Sequence, residues 1–158
     1  MEEIIVADKY RIPKDRLYTK DHEWVLIEEG NRARIGITDY AQSELGDVVF
    51  VELPELNQEV ESGDTLANIE SVKSVAPVYA PVAGKVVDVN TELENNPELI
   101  NEYPYEDGWI CVLEMRDPSE VEDLLSPEEY AEYVKELVEE EGEEPDEFFE
   151  EELPEPQE

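Results

Sequence analysis

Short runs of β-branched residues, separated by prolines and by a central lysine, make residues 66–90 the segment that most restricts the fold. Its sequence is LANIESVKSVAPVYAPVAGKVVDVN. Valine and isoleucine favour extended backbone, and the runs are too short for stable helices. Pro77 and Pro81 donate no amide hydrogen, so the strand that contains them lies at a sheet edge or bends there. The segment therefore predicts short paired strands, with Lys73 in the turn between two of them.

Strand signals continue on both sides of this segment. The runs at 24–29 and 32–37 enclose the turn pair Gly30-Asn31, which predicts a hairpin. Two six-residue stretches, GDVVFV from Gly46 and GKVVDV from Gly84, share valine at the third, fourth and sixth positions. This echo indicates either an internal repeat or the ordinary preference of strands for valine. The other predicted strands lie within 47–53, 58–70, 84–90 and 108–115.

One short helix is predicted early in the chain, and the other helices are predicted near the C-terminus. Residues 38–46 predict a helix that Thr38 or Asp39 can cap and that Gly46 can end in a left-handed conformation. Ser119 is expected to cap a second short helix in the sequence EVEDLL. Strands therefore outnumber helices in the predicted pattern.

The clearest helix signal follows Ser126. Pro127 suits the first helical position, and Glu129 completes a capping box with Ser126. Acidic residues dominate from 139 to 158, which predicts a largely disordered tail with the Phe148-Phe149 pair as a weak docking point. Before that tail, apolar residues recur at three- and four-residue spacing, so that one helix face can pack on the sheets. These residues are Tyr130, Tyr133, Val134, Leu137 and Val138.

The chain is strongly acidic, with 45 Asp and Glu residues against 11 Lys and Arg residues and a formal net charge of −34. This charge repels phosphate backbones and anionic lipids, so neither nucleic acid nor a membrane surface is an expected partner. Partners with basic faces are favoured instead. Cys111 is the only cysteine, so no internal disulfide is expected, and the N-terminus lacks a signal-peptide pattern. These features predict a soluble cytoplasmic protein in a reducing compartment.

No catalytic or metal-binding motif accompanies the strand pattern. His22 and Cys111 are the only histidine and cysteine, and no nucleophile elbow, phosphate loop, Cys/His cluster or EF-hand spacing occurs. The protein is therefore expected to carry a group rather than to transform one. Lys73 suits that role because Ser71 and Ser74 flank the pair Val72-Lys73 in an exposed turn, where the lysine amine can be acylated. An ordinary solvated turn lysine is the alternative on these residues alone.

Five blocks of sequence, in order, resemble the H proteins of the glycine cleavage system. The block ESVKSV at 70–75 matches the modification motif of that family, and Lys73 falls on its lipoylated lysine. The resemblance runs from about Leu17 to about Val138. The other four blocks are YTKDHEWV at 18–25, GITDYAQSELGDVVFVELPE at 36–55, APVAGKVVDVN at 80–90 and NNPELINEYPYEDGWI at 95–110.

The resemblance implies both a fold and a function. The fold is mainly β, a barrel-sandwich hybrid of two small sheets with peripheral short helices and a C-terminal helix, in one domain over 1–138 before the tail at 139–158. Lys73 is implied to carry lipoic acid in amide linkage. The protein is implied to be a non-catalytic carrier that takes an aminomethyl group from a glycine decarboxylase (the P protein) to an aminomethyltransferase (the T protein). It is implied to pass electrons to dihydrolipoamide dehydrogenase (the L protein), and a lipoate-attaching enzyme is a further implied partner.

Four other residues are candidate site residues because of their places in these motifs. Glu70, three residues before Lys73, is a candidate recognition mark for the lipoate-attaching enzyme, or alternatively a solvated strand residue. His22 and Asp64 are candidates for a cleft that shelters the loaded arm, and so is Trp24. The structural alternatives are a hydrogen-bonded turn residue for His22 and a core residue for Trp24.

Other carriers and a binding module are the alternatives to this interpretation. Biotinyl domains usually flank their lysine with methionines, and dehydrogenase lipoyl domains place Asp before it and Ala after it. Here Val72 and Ser74 flank Lys73, so neither pattern is present. An H-like protein that relays lipoate to other carriers, or serves sulfur metabolism, is not distinguished by sequence. An acidic interaction module with an unmodified Lys73 is the alternative from another functional class.

Overall fold

Residues 2–142 are described by the computed structural model, and most of the regular structure in them is strand. The strands are β1 (Glu3–Val6), β2 (Tyr10–Pro13), β3 (Leu17–Tyr18), β4 (Glu23–Glu28), β5 (Arg32–Ile37), β6 (Val48–Glu52), β7 (Glu59–Val60), β8 (Thr65–Ser71), β9 (Val75–Tyr79), β10 (Gly84–Val89) and β11 (Cys111–Met115). The helices are α1 (Asp39–Leu45), α2 (Glu92–Asn95), α3 (Leu99–Glu102), a 3₁₀ helix (Pro118–Asp123) and α4 (Pro127–Gly142).

Antiparallel pairing joins these strands into three sheets. A six-stranded sheet has the order β3-β4-β5-β11-β10-β7, and a three-stranded sheet has the order β6-β8-β9. These two sheets and the short helices around them confirm the predicted mainly-β class. β1 and β2 form a separate hairpin that the pattern of residues 1–16 did not predict.

The main hydrophobic core lies between the two larger sheets, and a second, aromatic cluster lies beneath α4. Cys111 on β11, an inner strand of the six-stranded sheet, is fully buried in the main core. Trp24 is fully buried in the aromatic cluster, and its indole N–H donates to the carbonyl of Pro104 at 2.9 Å. Its ring lies against Gly36, where a Cβ would be 2.6 Å from the indole. Trp24 is therefore a core residue that needs glycine opposite it.

The two valine-rich stretches lie in different sheets and share one irregularity. In β6 the register shifts between Val48 and Phe50, and in β10 it shifts between Val86 and Asp88. The fourth residue of each six-residue stretch is therefore the bulged one. Valine preference alone does not place an irregularity at the same position twice, so the shared bulge supports the interpretation as an internal repeat.

The cap of α1 agrees with one of the two predicted residues. The Thr38 hydroxyl accepts a hydrogen bond from the amide of Ala41 at 3.2 Å. Asp39 has another role, because its carboxylate accepts from the amide of Arg11 in β2 at 3.0 Å. Gly46 ends the helix with a φ of 79°, a left-handed conformation that favours glycine. The helix therefore begins and ends where the sequence predicted.

The segment after β11 differs from its prediction, and the helix that follows agrees. Asp117 rather than Ser119 caps the next helix, because its carboxylate accepts from the Ser119 amide at 3.1 Å, and that helix is 3₁₀ rather than α. An Asp-Pro start favours such a tight turn, and the sequence interpretation overlooked it. At the start of α4, Ser126 and Glu129 exchange hydrogen bonds of 2.9 and 3.1 Å, which confirms the capping box.

α4 continues to Gly142. The helix therefore includes residues 139–142, which were predicted to belong to the tail. The helix propensity of the three glutamates at 139–141 outweighs the repulsion between their like charges. The remainder of the predicted tail, with Phe148 and Phe149, lies outside the described residues. Within 2–142, none of the helices has the length and apolar character needed to cross a bilayer.

Candidate functional site

Lys73 lies at the tip of the β8–β9 hairpin, and Ser71 fixes that tip. The Ser71 hydroxyl accepts hydrogen bonds from the amides of Lys73 and Ser74, both at 3.1 Å, and the Ser71 amide donates to the Ser74 carbonyl at 2.8 Å. The amide of Val72 donates to the carbonyl of Asp47 at 3.0 Å, which ties the tip to the segment before β6. Serine is suited to this turn because its short side chain can bond nearby backbone groups.

The Lys73 side chain is exposed and runs along the end of α1. Its Cε and Nζ atoms are 3.2 and 3.8 Å from the position that a Cβ on Gly46 would occupy. Among residues 2–142, Lys73 forms no ion pair within 4.0 Å. Its charge still reaches Glu44, whose pKa is raised by burial and by Glu141 and lowered by Lys73. The amine is therefore accessible for acylation.

Glu70 lies on the outer face of the three-stranded sheet, next to the tip. Phe50, Glu70 and Val75 are directly opposite one another on β6, β8 and β9, so their side chains share one face. All three are exposed, and the solvent-exposed fractions of Phe50 and Val75 are 49 % and 62 %. Val72 at the tip is 66 % exposed. The Glu70 carboxylate is therefore set between apolar side chains, within a few residues of Lys73.

A cleft of about 460 Å³ opens beside the same hairpin. Its lining includes Ser74 and Ala76, which follow Lys73 closely in the chain. Its walls are largely apolar and come from β5, β8, β9, α1, α4 and the turn before β4, so it can hold an apolar chain out of water. The other lining residues are Asp21, His22, Ile37, Tyr40, Ala41, Glu44, Leu45, Ile69, Pro77, Val78, Tyr133 and Leu137.

His22 lines this cleft and is held by aromatic neighbours. Its Nδ1 is 2.8 Å from the Tyr130 hydroxyl, which also lies 2.7 Å from the Thr38 hydroxyl. Its ring centroid is 4.8 Å from that of Tyr40 and 5.7 Å from that of Tyr133. Its φ of 70° is unusual for a residue other than glycine and marks a backbone conformation fixed by its surroundings. Burial lowers the pKa of His22, so its imidazole is neutral at pH 7.

Glu23 is a buried carboxyl that the sequence interpretation missed. It is 1 % exposed, and its two oxygens accept from the Thr19 hydroxyl at 2.8 Å and from the Tyr79 amide at 2.9 Å. Burial raises its pKa to about 7. Tyr79 ends β9, about 13 Å along the strand from Val75 beside the tip. In a chain with 45 acidic residues, only its position between the candidates His22 and Trp24 could have drawn attention to it.

Glu23 lines a second cleft, of about 380 Å³. Ser62 and Gly63 form part of its rim, but Asp64 lies outside it. Asp64 is exposed, and its carboxylate accepts from the Glu61 amide at 2.8 Å, which closes the turn that contains Ser62 and Gly63. The structure thus brings His22 and Glu23 to clefts beside the hairpin, whereas Asp64 supports a rim and Trp24 belongs to the core.

Comparison with known proteins agrees with this arrangement. The family described as "Glycine cleavage H-protein" matches residues 16–137, which include the hairpin, both clefts and most of α4. This chain belongs to the glycine cleavage H-protein family. The matched region leaves out the β1–β2 hairpin and the last residues of α4.

Individual relatives support the family over most of the chain. The "Glycine cleavage system H protein 4" of Aquifex aeolicus is 62 % identical over 144 residues, which cover 91 % of this chain and 83 % of that protein. The "Glycine cleavage system H protein" of Halalkalibacterium halodurans is 55 % identical over 125 residues, or 79 % of this chain and 97 % of that protein.

A solved structure of the family has the same fold. The crystal structure of a glycine cleavage system H protein from Mycobacterium marinum superposes with a TM-score of 0.72 at 39 % identity, over 78 % of this chain and 98 % of that one. This similarity and the two larger sheets confirm the predicted barrel-sandwich hybrid. Family membership also removes the biotinyl domain and the dehydrogenase lipoyl domain as alternatives.

Proposed function

We propose that Lys73 is the attachment point of a lipoyl group and that the protein is the carrier component of a glycine cleavage system. The observation that supports this most directly is the exposed Lys73 amine on a turn fixed by Ser71, within the region that matches the family. A separate enzyme can reach that amine to acylate it. The paired strands below the turn keep the point of attachment fixed.

When bound in amide linkage to Lys73, lipoic acid supplies a cyclic disulfide that can accept an aminomethyl group and electrons. A glycine decarboxylase loads the carrier, an aminomethyltransferase unloads it, and dihydrolipoamide dehydrogenase restores the disulfide. A tether at Lys73 replaces diffusion of a free species with a high local concentration at each partner. The chain itself needs no catalytic acid, base or nucleophile, and we propose that it acts only as a carrier.

The cleft beside the hairpin fits the apolar part of such an arm. Ser74 and Ala76 bring the lining of the cleft close to Lys73, and Leu45 and Ile69 supply apolar walls. We assign this cleft the role of keeping water from a loaded arm, because a bound aminomethyl group can be lost to water. The lining contains the neutral ring of His22, and we propose that this ring contacts the arm.

The carboxyl of Glu23 gives the second cleft a place for a cation. A protonated amine, such as that of an aminomethyl group on the arm, stabilises the ionised form of a buried carboxyl beside it. Because the pKa of Glu23 is about 7, its carboxyl can ionise when this amine binds. The position of Glu23 at the far end of β9 suits contact with the end of an arm rather than with its stem. We propose that Asp64 contributes indirectly, by holding the turn at the rim of this cleft.

Glu70 is proposed as the recognition mark for the lipoate-attaching enzyme. Its carboxylate is exposed on the same sheet face as Phe50 and Val75, next to the tip that bears Lys73. An apolar patch with one central charge offers an enzyme both contact area and orientation. Glu70→Gln is expected to slow lipoylation of Lys73 while leaving the fold unchanged, because the side chain is solvated.

We place the protein in the cytoplasm of a bacterium, since the two named sequence relatives come from bacteria. A reducing compartment suits both a free Cys111 and an arm that cycles through a dithiol. A lipoate relay is the second candidate function, because it needs the same exposed lysine. Transfer of labelled lipoyl groups from this protein to a second carrier would favour the relay.

The proposed function is tested by reconstitution with a glycine decarboxylase, an aminomethyltransferase and dihydrolipoamide dehydrogenase. The lipoylated protein is expected to support glycine-dependent release of CO₂ and reduction of NAD. Lys73→Arg keeps the charge but loses the acylation site, and it is expected to abolish both. Lys85→Arg, at another exposed lysine, is the matched control and should keep full activity. Equal activity of Lys73→Arg and the wild type would contradict the proposal.

A further inference from the structure

The last turns of α4 form one wall of the cleft beside Lys73. Tyr133 and Leu137 line the cleft, and Glu141 follows at the same four-residue spacing, so the three side chains lie along one stripe of the helix. The Glu141 carboxylate accepts a hydrogen bond of 2.9 Å from the Tyr40 hydroxyl on α1. This bond joins the two helices on either side of the cleft.

Packing fixes the donor of this bond. The Tyr40 side chain is 5 % exposed, and its ring meets Tyr10 edge-on at 5.1 Å. It also contacts His22 at a centroid distance of 4.8 Å. Burial and the nearby carboxylates of Glu141 and Glu44 raise the pKa of Tyr40, so its hydroxyl remains protonated and can donate. The hydroxyl is therefore held in place to receive Glu141.

Electrostatic repulsion opposes the same contact. Glu44 on α1 also lines the cleft, and Glu141 raises its pKa, as expected for two carboxylates close together. Helix α4 has acidic residues and no basic residue in its last turn, so like charges and the helix dipole both disfavour its C-terminus. The Tyr40 bond therefore counteracts these effects where the last turn of α4 meets α1.

We propose that the Tyr40–Glu141 hydrogen bond is a latch that holds the last turn of α4 over the arm cleft. Tyr40 and Glu141 are thus positioning residues: they keep Leu137 against the cleft and slow the exposure of the arm to solvent. The inference rests on the proposed function for its arm, but the latch itself is a property of the unmodified fold. Glu141 lies beyond the 16–137 match, so the family assignment does not itself supply the latch.

Hydrogen exchange in the unmodified protein tests the latch without an arm. The amides of residues 139–141 pair with carbonyls one turn earlier, so their exchange reports opening of the last turn. Tyr40→Phe and Glu141→Ala are expected to speed this exchange about fivefold, which corresponds to about 1 kcal/mol. Glu141→Gln removes the same charge but keeps an oxygen acceptor, so it should remain within about twofold of the wild type. Glu140→Ala, at the exposed neighbouring position, controls for helix propensity and charge.

Alkylation of the reduced arm tests the consequence for the cleft. Cys111 is fully buried, so in the lipoylated protein the arm supplies the accessible thiols. Iodoacetamide is expected to modify the arm about fivefold faster in Tyr40→Phe and Glu141→Ala than in Glu141→Gln, Glu140→Ala or the wild type. Equal rates in Glu141→Ala and Glu140→Ala, in either assay, would overturn the latch. Absence of a lipoyl group from Lys73 would instead contradict the proposed function, and hydrogen exchange alone would then decide the latch.

Discussion

The free energy of unfolding is expected to depend on pH in part through Glu23, and a single substitution can isolate this contribution. Its carboxyl is 1 % exposed, and burial raises its pKa from 4.5 to about 7. The unfolded chain therefore releases this proton more easily than the folded one. The stabilisation that Glu23 contributes is present in full below the unfolded pKa and is lost as the pH rises through 7. The two pKa values correspond to about 3 kcal/mol in total, of which about 2.5 kcal/mol is lost between pH 5 and pH 8.

The assay is urea unfolding of the wild type and Glu23→Gln at intervals from pH 5 to pH 8. Gln keeps the size of the side chain and one oxygen acceptor. The loss of the other hydrogen bond that Glu23 accepts lowers the stability of the variant by the same amount at every pH. The free energy of unfolding of the wild type is expected to fall by about 2.5 kcal/mol relative to the variant over this range. Glu29→Gln, at an exposed carboxylate after β4, is the control and should run parallel to the wild type. If the free energy of unfolding of Glu23→Gln and of the wild type changed in parallel with pH, the conclusion that the Glu23 carboxyl is buried and neutral at low pH would be refuted.

Three further predictions concern the site. Lys73→Ala is expected to change the free energy of unfolding by no more than about 0.5 kcal/mol in urea, because the amine is exposed; a loss above about 1 kcal/mol would show that the fold depends on it. Tyr130→Phe removes the hydroxyl that contacts His22 and Thr38 and is expected to cost about 1–3 kcal/mol in urea unfolding. An unchanged stability there would contradict that network. Glu44 is expected to show a higher carboxyl pKa by NMR titration once acylation removes the charge of Lys73, since that charge now lowers it. An unchanged pKa of Glu44 would show that the Lys73 amine is too far away to affect it.

The parts of the fold that follow from local chemistry could be predicted from sequence. The capping box of Ser126 and Glu129, the Thr38 cap and the Gly46 end depend on short-range hydrogen bonds and backbone preference, and all occur where expected. The sheet order and the β1–β2 hairpin could not be predicted, because pairing between distant strands depends on contacts that no local pattern specifies.

The site divides in the same way. Lys73 could be placed in an exposed turn because Ser71 and Ser74 flank the pair Val72-Lys73, and its match to a family motif adds a proposed chemistry. The importance of Glu23 could not be predicted, because one of its hydrogen-bond donors, the Tyr79 amide, lies 56 positions along the chain. The contact of Glu141 with α1 likewise depends on the direction in which α4 crosses the cleft.

The central claim is that the Lys73 amine is acylated, and the mass of one peptide tests it most directly. Cleavage after glutamate, at Glu70 and Glu92, releases residues 71–92, which contain both Lys73 and Lys85. In protein purified from cells with active lipoylation enzymes, this peptide is expected to carry the mass of one lipoyl group, and fragmentation is expected to place it on Lys73. An unmodified peptide from such cells, or a lipoyl group on Lys85 instead, would contradict the account.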